Sequence, residues 1–534
     1  MRETTRRRTL PAVLFTGLAA ALAAVPLGCE NKPAPPPKAR TADAQGADAP
    51  DADPVDATPV SVTGAGVAPP PLDGWETPAL AILLSGEQHG YVEPCGCSEK
   101  QSGGLARRDD LVKILADRGW PVVGLDTGGT LKRARQQSKL KFDFTHKALA
   151  DMDYKALGLG PEELRLGTDH LFVAHSNAAA DGRADVPFVS ANVVFYGDRG
   201  VGAPQTHRVF EAGGVKVGVT GVLGDEYAAA FTNDGVLDIE PAAEALAAVV
   251  PKLEAEAPDV TVLLAHAKPS ESKALAEAFP QFDVVVTADG PEDGNDPEMV
   301  GQTLLLRPSQ KGKHVEVLAV YKTDAGVQLK REQVDLDKDR FETSARMVDH
   351  MREYQEAIAS MDLASTEPAY PAPNGSQFAG AKTCGKCHTK AYGIWKNSKH
   401  AHALESLEVG RPGTESWWVD RRQDPECLSC HVTGWDPQDV VRFEGGFTSL
   451  AETKHLAGNQ CENCHGAGQT HSQLEMDFER GGDLTDAHVA ARKDMRLEKA
   501  WAEKNLCVKC HDGDNSPGFD FATYWPKVEH KGRN

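Results

Sequence analysis

The sequence predicts two folded parts in series: a layered α/β sandwich over residues 78–340, then a mainly helical and loop domain over 380–534 whose centre is not filled by side chains. Three observations predict this. Short β-branched runs alternate with helix-length segments from Ala79 to about residue 340. Beyond residue 380 such runs become rare, apolar residues scatter, and Cys, His and Gly accumulate. At 534 residues the chain is also too long for one domain.

The first element is the N-terminus. A cationic start containing Arg6, Arg7 and Arg8, an apolar run and a small residue before a break make an export signal over residues 1–29. The three arginines leave the twin-arginine route open. Leu27-Gly28-Cys29 resembles a bacterial lipobox, which makes Cys29 the lipidated first residue of the mature chain; Pro26 departs from that pattern, and ordinary signal cleavage nearby is the alternative. Residues 30–77 are rich in Pro, Ala and Asp and bury too little apolar surface to offset chain entropy, so they read as a disordered tether. No later segment is long and apolar enough to span a bilayer. The expected location is the periplasm or cell envelope, with the membrane reached through a lipid anchor. A net charge of −21 argues against a nucleic-acid partner, since phosphate binding needs a basic face.

Strands follow at ALAILLS, PVVGLD, VPFVSANVVF, GVKVGVTGVLG, DVTVLLAH, FDVVVTA, QTLLLRP and HVEVLAVYK. Helices are expected at LARRDDLVKILADRG, DFTHKALADMD and EPAAEALAAVVPKLEAEA. This alternation is that of a layered α/β domain. Over 341–379, TSARMVDHMREYQEAIASM reads as one exposed helix and ASTEPAYPAPNGSQ as a linker.

Eleven cysteines then divide into Cys29, the pair Cys95 and Cys97, and eight in four C-x-x-C pairs, each followed at once by His. These are Cys384/Cys387/His388, Cys427/Cys430/His431, Cys461/Cys464/His465 and Cys507/Cys510/His511. Two thiols one short turn apart can add to the two vinyl groups of a porphyrin, and the adjacent imidazole then reaches the iron from one face. Zinc ribbons use C-x-x-C pairs two at a time and need no His after every pair, and disulfides need none. Four covalently bound haem c groups are therefore expected, filling what side chains cannot. Ten of the eighteen histidines lie beyond residue 380, whereas only Met476 and Met495 are available there, so His/His ligation is the default and the potentials should lie below those of His/Met cytochromes.

The segments WKNSKHAHAL, ECLSCHVTGW, QCENCHGAGQTH and CVKCHDGDNSPGFDFATYWPKVEH resemble the tetrahaem cytochromes that take electrons from hydroxylamine oxidoreductase in nitrifying bacteria, and their wider multihaem relatives. The resemblance covers about residues 380–531. It implies His400, His471 and His530 as distal iron ligands, with His455 or His402 as candidates for the fourth haem; His488 is expected to cap a surface turn. Some such relatives leave one haem five-coordinate.

The α/β half resembles exported metallophosphoesterases of the 5′-nucleotidase and UDP-sugar hydrolase type, through LSGEQHGYVEPC, GGLARRDDLVKIL, VVGLDTGGTL, ALGLGPEE, SANVVF, KVGVTGV and LLAHAK. That family holds two metal ions with D-x-H, G-D, G-N-H-E, a later His and G-H-x-H. Here Glu87-Gln88-His89 stands for D-x-H, Gly129 for the bridging Asp, Pro161 and Glu162 for Asn and His, and Asp289 and Pro291 for the last two His, while His266 survives. Losing the bridging carboxylate removes what holds two metals and sets the hydroxide. A second candidate site remains at Cys95 and Cys97, which with His89 and His266 could bind an additional soft metal ion or cycle as a redox pair; a structural loop is the alternative. No residue is assigned as catalytic. The reading is an exported tetrahaem electron carrier with redox-protein partners, its α/β half serving in binding or docking. A multihaem oxidoreductase acting on a small sulfur or nitrogen compound, and an active metal-dependent phosphohydrolase, stand as alternatives.

Overall fold

Two twisted sheets face each other across the α/β half. In the computed structural model, which describes residues 70–93, 102–180, 186–200, 202–324 and 326–532, the first sheet has five strands. Their order is Gly326–Asp335, His314–Thr323, Leu80–Ser85, Val122–Asp126, Tyr154–Leu157, with the last three parallel. The second sheet runs Glu298–Val300, Thr303–Leu306, Val284–Thr287, Val260–His266, Val215–Leu223, Arg208–Ala212, parallel at its centre and antiparallel at both edges. Leu80, Ile82 and Leu84 alternate toward Val217, Val219, Val262 and Val284 between the sheets. The opposite faces are covered by helices, Leu105–Asp117 on the first sheet and Ala242–Ala255 with Pro269–Ala278 on the second. Strands apolar on both faces require this layering. The export signal, Cys29, residues 30–69 of the expected tether, Cys95 and Cys97 lie outside the described residues. Residues 70–77, expected to be disordered, are instead folded against the first sheet's outer layer: Leu72 is 1% exposed, packed with Leu111 and Leu115. Among the described residues no helix is long and apolar enough to cross a membrane.

Three further expectations change. The run VPFVSANVVF forms a strand only at Val193–Phe195. Asn192 turns the backbone away, its amide donating to the Leu223 and Glu240 carbonyls and its oxygen accepting from the Leu223 N–H. The helix Ala345–Met361 forms as one piece but is not exposed. Met347, Val348, Met351, Tyr354 and Ile358 are buried against Gln136–Asp151, giving that helix a second partner besides the sheet. The C-terminal half also holds a small apolar cluster of its own, in which Leu404, Leu407, Leu428, Val432, Trp435, Phe447 and Leu456 pack together.

Both halves belong to one compact unit. They meet at the second C-x-x-C-H motif. Asp424, 4% exposed, accepts from Gln137 Nε2 at 2.7 Å and from Gln355 Nε2 at 2.8 Å. Glu426 pairs with Lys141, and Arg421 with Glu93. A second seam joins Asp514 to Lys311 Nζ at 2.8 Å and to the Tyr91 hydroxyl at 2.7 Å.

Candidate haem centre

Two of the C-x-x-C-H motifs lie wholly on one short helix, which puts their paired thiols on the same face. The second motif is on Pro425–His431, capped by Asp424, whose carboxylate accepts from the Glu426 N–H at 2.9 Å, with Pro425 at the first helical position. The third is on Cys461–His465, where Asn463 Oδ1 reaches back to the Gln460 N–H at 2.9 Å. The fourth starts in the 3₁₀ turn Cys507–Lys509, with Cys510 just past its end.

The first motif departs from this pattern at Cys387. The helix Ala381–Cys384 stops at its first cysteine, and Cys387 stands in the turn that follows rather than on the helix with Cys384. The turn nevertheless closes on Cys384, whose carbonyl accepts from the Cys387 N–H at 3.2 Å and from the His388 N–H at 2.9 Å. Cys387 and His388 thus stay one turn from Cys384, the separation thioether attachment needs. All eight motif cysteines, Cys387 included, lie outside any disulfide and are partly exposed.

The imidazoles are set up as ligands. His431 Nδ1 lies 2.7 Å from the Ala403 carbonyl and His465 Nδ1 lies 2.8 Å from the Met495 carbonyl. A carbonyl only accepts, so each Nδ1 carries the proton and each Nε2 keeps its lone pair for a metal. His511 Nδ1 is 3.1 Å from Ser516 Oγ. Burial holds His400, His431, His465, His471 and His511 below the usual imidazole range, so these rings are neutral near pH 7, as ligation requires.

Three histidine pairs face each other across motifs. The ring centres of His388 and His471 are 6.4 Å apart, those of His400 and His511 6.0 Å, and those of His465 and His530 5.7 Å. An imidazole nitrogen lies about 2 Å from a first-row metal and roughly 1.2 Å from its ring centre, so two rings trans across one iron have centres about 6.3 Å apart. The residues present thus fit haem iron held between them. His471 faces His388 of the first motif rather than His465, six residues before it.

Among the described residues no histidine faces His431 at such spacing. Of the two candidates for that place, His402 is exposed and pairs with Glu405 at 2.9 Å, and His455 is also exposed. His488 is buried rather than on a surface turn. Its Nδ1 accepts from the Thr485 N–H at 3.1 Å, and its Nε2 lies 3.1 Å from the Leu474 carbonyl.

Thiols of different motifs adjoin. Cys384 is within electrostatic reach of Cys461, Cys430 of Cys510, and Cys464 of Cys507 and Cys510. The motifs therefore line up first, third, fourth, second. The first motif joins this row through Cys384.

In the α/β half, His266 is 3% exposed with Nδ1 3.1 Å from the Thr127 carbonyl, and it lies within electrostatic reach of the partly exposed His89. Glu163 is saturated by the Gly129, Thr130 and Gly160 N–H groups and the Thr130 hydroxyl. Asp289 is held by Lys268 Nζ at 2.6 Å and by Tyr227. Burial pushes Glu87 and Glu162 up to about 7. Gly129 has φ +73°, and a Cβ there would sit 3.1 Å from His266 Cε1 and 3.2 Å from Glu87 Cα. Among the described residues, no group of three or more His, Cys, Asp and Glu side chains is arranged to hold a metal ion.

Thioether-spaced cysteines, adjoining motifs and crossed imidazole pairs define the class of multihaem c-type cytochromes. Residues 383–466 match the family described as cytochrome c554 and c-prime. The chain is 32% identical over 171 residues to cytochrome c-554 of Nitrosomonas europaea, covering 29% of this chain and 68% of that protein. Through its C-terminal part this chain belongs to the cytochrome c554 family, whose members carry covalent haem c and transfer electrons. The solved structures similar to it include a 5′-nucleotidase precursor from Thermus thermophilus, at 20% identity over 53% of this chain and a TM-score of 0.45. Another is the calcineurin-like phosphoesterase YfkN of Bacillus subtilis, at 19% identity over 52% of this chain and a TM-score of 0.41. The match spans 59% of the nucleotidase and 97% of YfkN.

Proposed function

We propose that the chain is an exported tetrahaem electron carrier. Its four haems are attached at Cys384/Cys387, Cys427/Cys430, Cys461/Cys464 and Cys507/Cys510, with His388, His431, His465 and His511 as proximal ligands. The observation that carries this is the set of three crossed histidine pairs, each joining one motif histidine to one of His400, His471 and His530 at the spacing a shared iron needs. When bound, each haem supplies a one-electron couple. The chain's own residues do the rest. Backbone carbonyls fix the tautomers of His431 and His465, and the paired histidines would hold three of the irons. Adjoining thiols bring neighbouring sites close enough for electron hopping in the order first, third, fourth, second. Redox proteins are the partners, and Cys29 would carry a lipid anchor at the cell envelope.

The α/β half acts in docking, not in hydrolysis. The place of a bridging carboxylate is taken up by the His266 ring and the Glu87 backbone beside Gly129, and Lys268 provides Asp289 with a built-in cation. A soft-metal or thiol site at Cys95 and Cys97 is not needed for this role.

Redox-titrated absorption and EPR spectroscopy of the mature protein, with its intact mass, test the reading. Four added haems, three of them low-spin, are expected; fewer than four would refute it. The open face of His431 favours a second reading, an oxidoreductase acting on a small nitrogen or sulfur compound there. One nitric-oxide-binding haem per reduced chain is its expected signature, and no binding would end it. Turnover of a phosphodiester with added manganese, lost in the His89→Ala and His266→Ala variants, would instead establish a hydrolase.

A further inference from the structure

The second motif differs from the other three in what leads into it. Asp424 and Glu426 lie within three residues of Cys427, whereas the three residues before Cys384, Cys461 and Cys507 contain no carboxylate. Asp424 is buried and neutralised by no cation of its own: its oxygens accept from the amides of Gln137 and Gln355 and from the Glu426 N–H. Glu426 is answered by Lys141, whose side chain is only 7% exposed, and more distantly by Arg133 at 3.9 Å. Lys141 sits on the helix Gln136–Asp151 of the α/β half, also donates to the Gly90 carbonyl at 3.2 Å, and is within electrostatic reach of Cys427. Screening by water is weak for so enclosed a charge, so its field extends to whatever the motif binds.

We propose that Lys141 of the α/β half is a positioning residue for the haem held by Cys427, Cys430 and His431, setting its one-electron oxidation equilibrium through the carboxylates Asp424 and Glu426. The α/β half thus tunes one redox centre of the cytochrome half as well as docking against it. The inference rests on haem attachment at Cys427 and Cys430. The sign follows from charge. Ferric haem carries one more positive charge than ferrous, so an uncompensated carboxylate favours the oxidised state and an uncompensated ammonium the reduced one. A unit charge roughly 10 Å from a redox centre, at an effective dielectric of about 20, shifts such an equilibrium roughly tenfold.

The test is spectropotentiometry on full-length holoprotein. Lys141→Met should lower the ratio of reduced to oxidised haem at this site about tenfold at fixed potential, equivalent to about 59 mV for one electron. Glu426→Gln, nearly isosteric and still able to accept from Lys141, should raise it by a similar factor. Lys141→Arg should restore the wild-type value, and the Lys141→Met/Glu426→Gln pair should return toward it. Mere loosening of the interface would move both single variants the same way; that result, or no movement in either, overturns the inference. If Lys141→Met does not fold, the upward shift of Glu426→Gln and the neutral Lys141→Arg decide alone. A Cys427→Ser/Cys430→Ser protein identifies the haem. Loss of one haem with unmoved potentials in the charge variants overturns the tuning role only; an unchanged haem count overturns the attachment reading beneath it.

Discussion

Replacing His530 by alanine is the sharpest test of the crossed pairing. His530 lies near the chain's end, exposed, with Nδ1 2.9 Å from the Val528 carbonyl and its ring centre 5.7 Å from that of His465. Its removal leaves no buried cavity, and His465 stays held by the Met495 carbonyl at 2.8 Å, so the third site keeps its thiols and proximal imidazole. The consequence should be confined to one iron. Among the described residues three of the four motif histidines face a second histidine and His431 does not, so the wild-type protein should show one high-spin haem in four and the His530→Ala variant two in four. The high-spin EPR signal should therefore double at equal haem content. The altered haem should also rise in potential, having lost a donor that favours ferric iron. His402→Ala and His455→Ala, made in parallel, should change neither spin state. An unchanged high-spin share in His530→Ala, or a rise in either control, would refute the pairing.

Three further outcomes are expected. Asp424→Ala removes a helix cap, about 1 kcal/mol, and leaves two buried glutamine amides short of a charged acceptor, about 1–3 kcal/mol each; urea unfolding followed by far-UV circular dichroism should show a loss of about 3–7 kcal/mol, with Asp424→Asn losing less. Glu87 is raised from 4.5 to about 7 by burial, so the folded state binds its proton more tightly than the unfolded state, and the wild-type protein should lose stability as pH rises from about 4.5 through 7. Glu87→Gln should match wild type at pH 4 and exceed it above pH 7 by on the order of 3 kcal/mol, read from thermal melts across pH. Gly129→Asp forces a side chain into a left-handed backbone against His266 and should cost about 1–3 kcal/mol, with no manganese binding by calorimetry.

What could be read from the chain was what is local. A C-x-x-C-H motif is five residues, and its chemistry needs nothing distant. Its backbone was less uniform than its spelling: Cys387 falls in a turn where Cys430 and Cys464 are helical. The parallel strands were equally plain, because strands buried on both faces read as unbroken apolar runs. Gly326–Asp335 escaped notice because it is an edge strand with a mixed polar face, and Arg208–Ala212 because it is short. In the helix Ala345–Met361, a buried stripe at positions 347, 351, 354 and 358 was present at helical spacing, but the charged residues between its members made the segment look solvated. Pairing of His471 with His388 is not encoded by proximity: the two are 83 positions apart, and the nearer His465 turns to His530. Nothing in Gln137, Lys141 or Gln355 marks them as partners of a motif some 70 to 290 positions away; only the folded chain brings them to Asp424 and Glu426.

The fusion of the two halves is a physical requirement as much as a covalent one. A tethered module would meet its neighbour through exposed, water-screened charges, each worth little. Here the seam holds Asp424 with both oxygens occupied by amides from the other half, and Lys141 enclosed against Glu426. The helix Ala345–Met361 supplies Tyr354 and Gln355 to that seam while packing on Gln136–Asp151, so the segment expected to link the halves is part of what joins them. Separating the halves would open Asp424 and Lys141 to water and give up hydrogen bonds and an ion pair that enclosure strengthens. The second motif sits at one end of the order in which the thiols adjoin, and it alone lacks a facing histidine among the described residues. The α/β half is thus bound to the motif at the end of that order, where its charges lie beside Cys427.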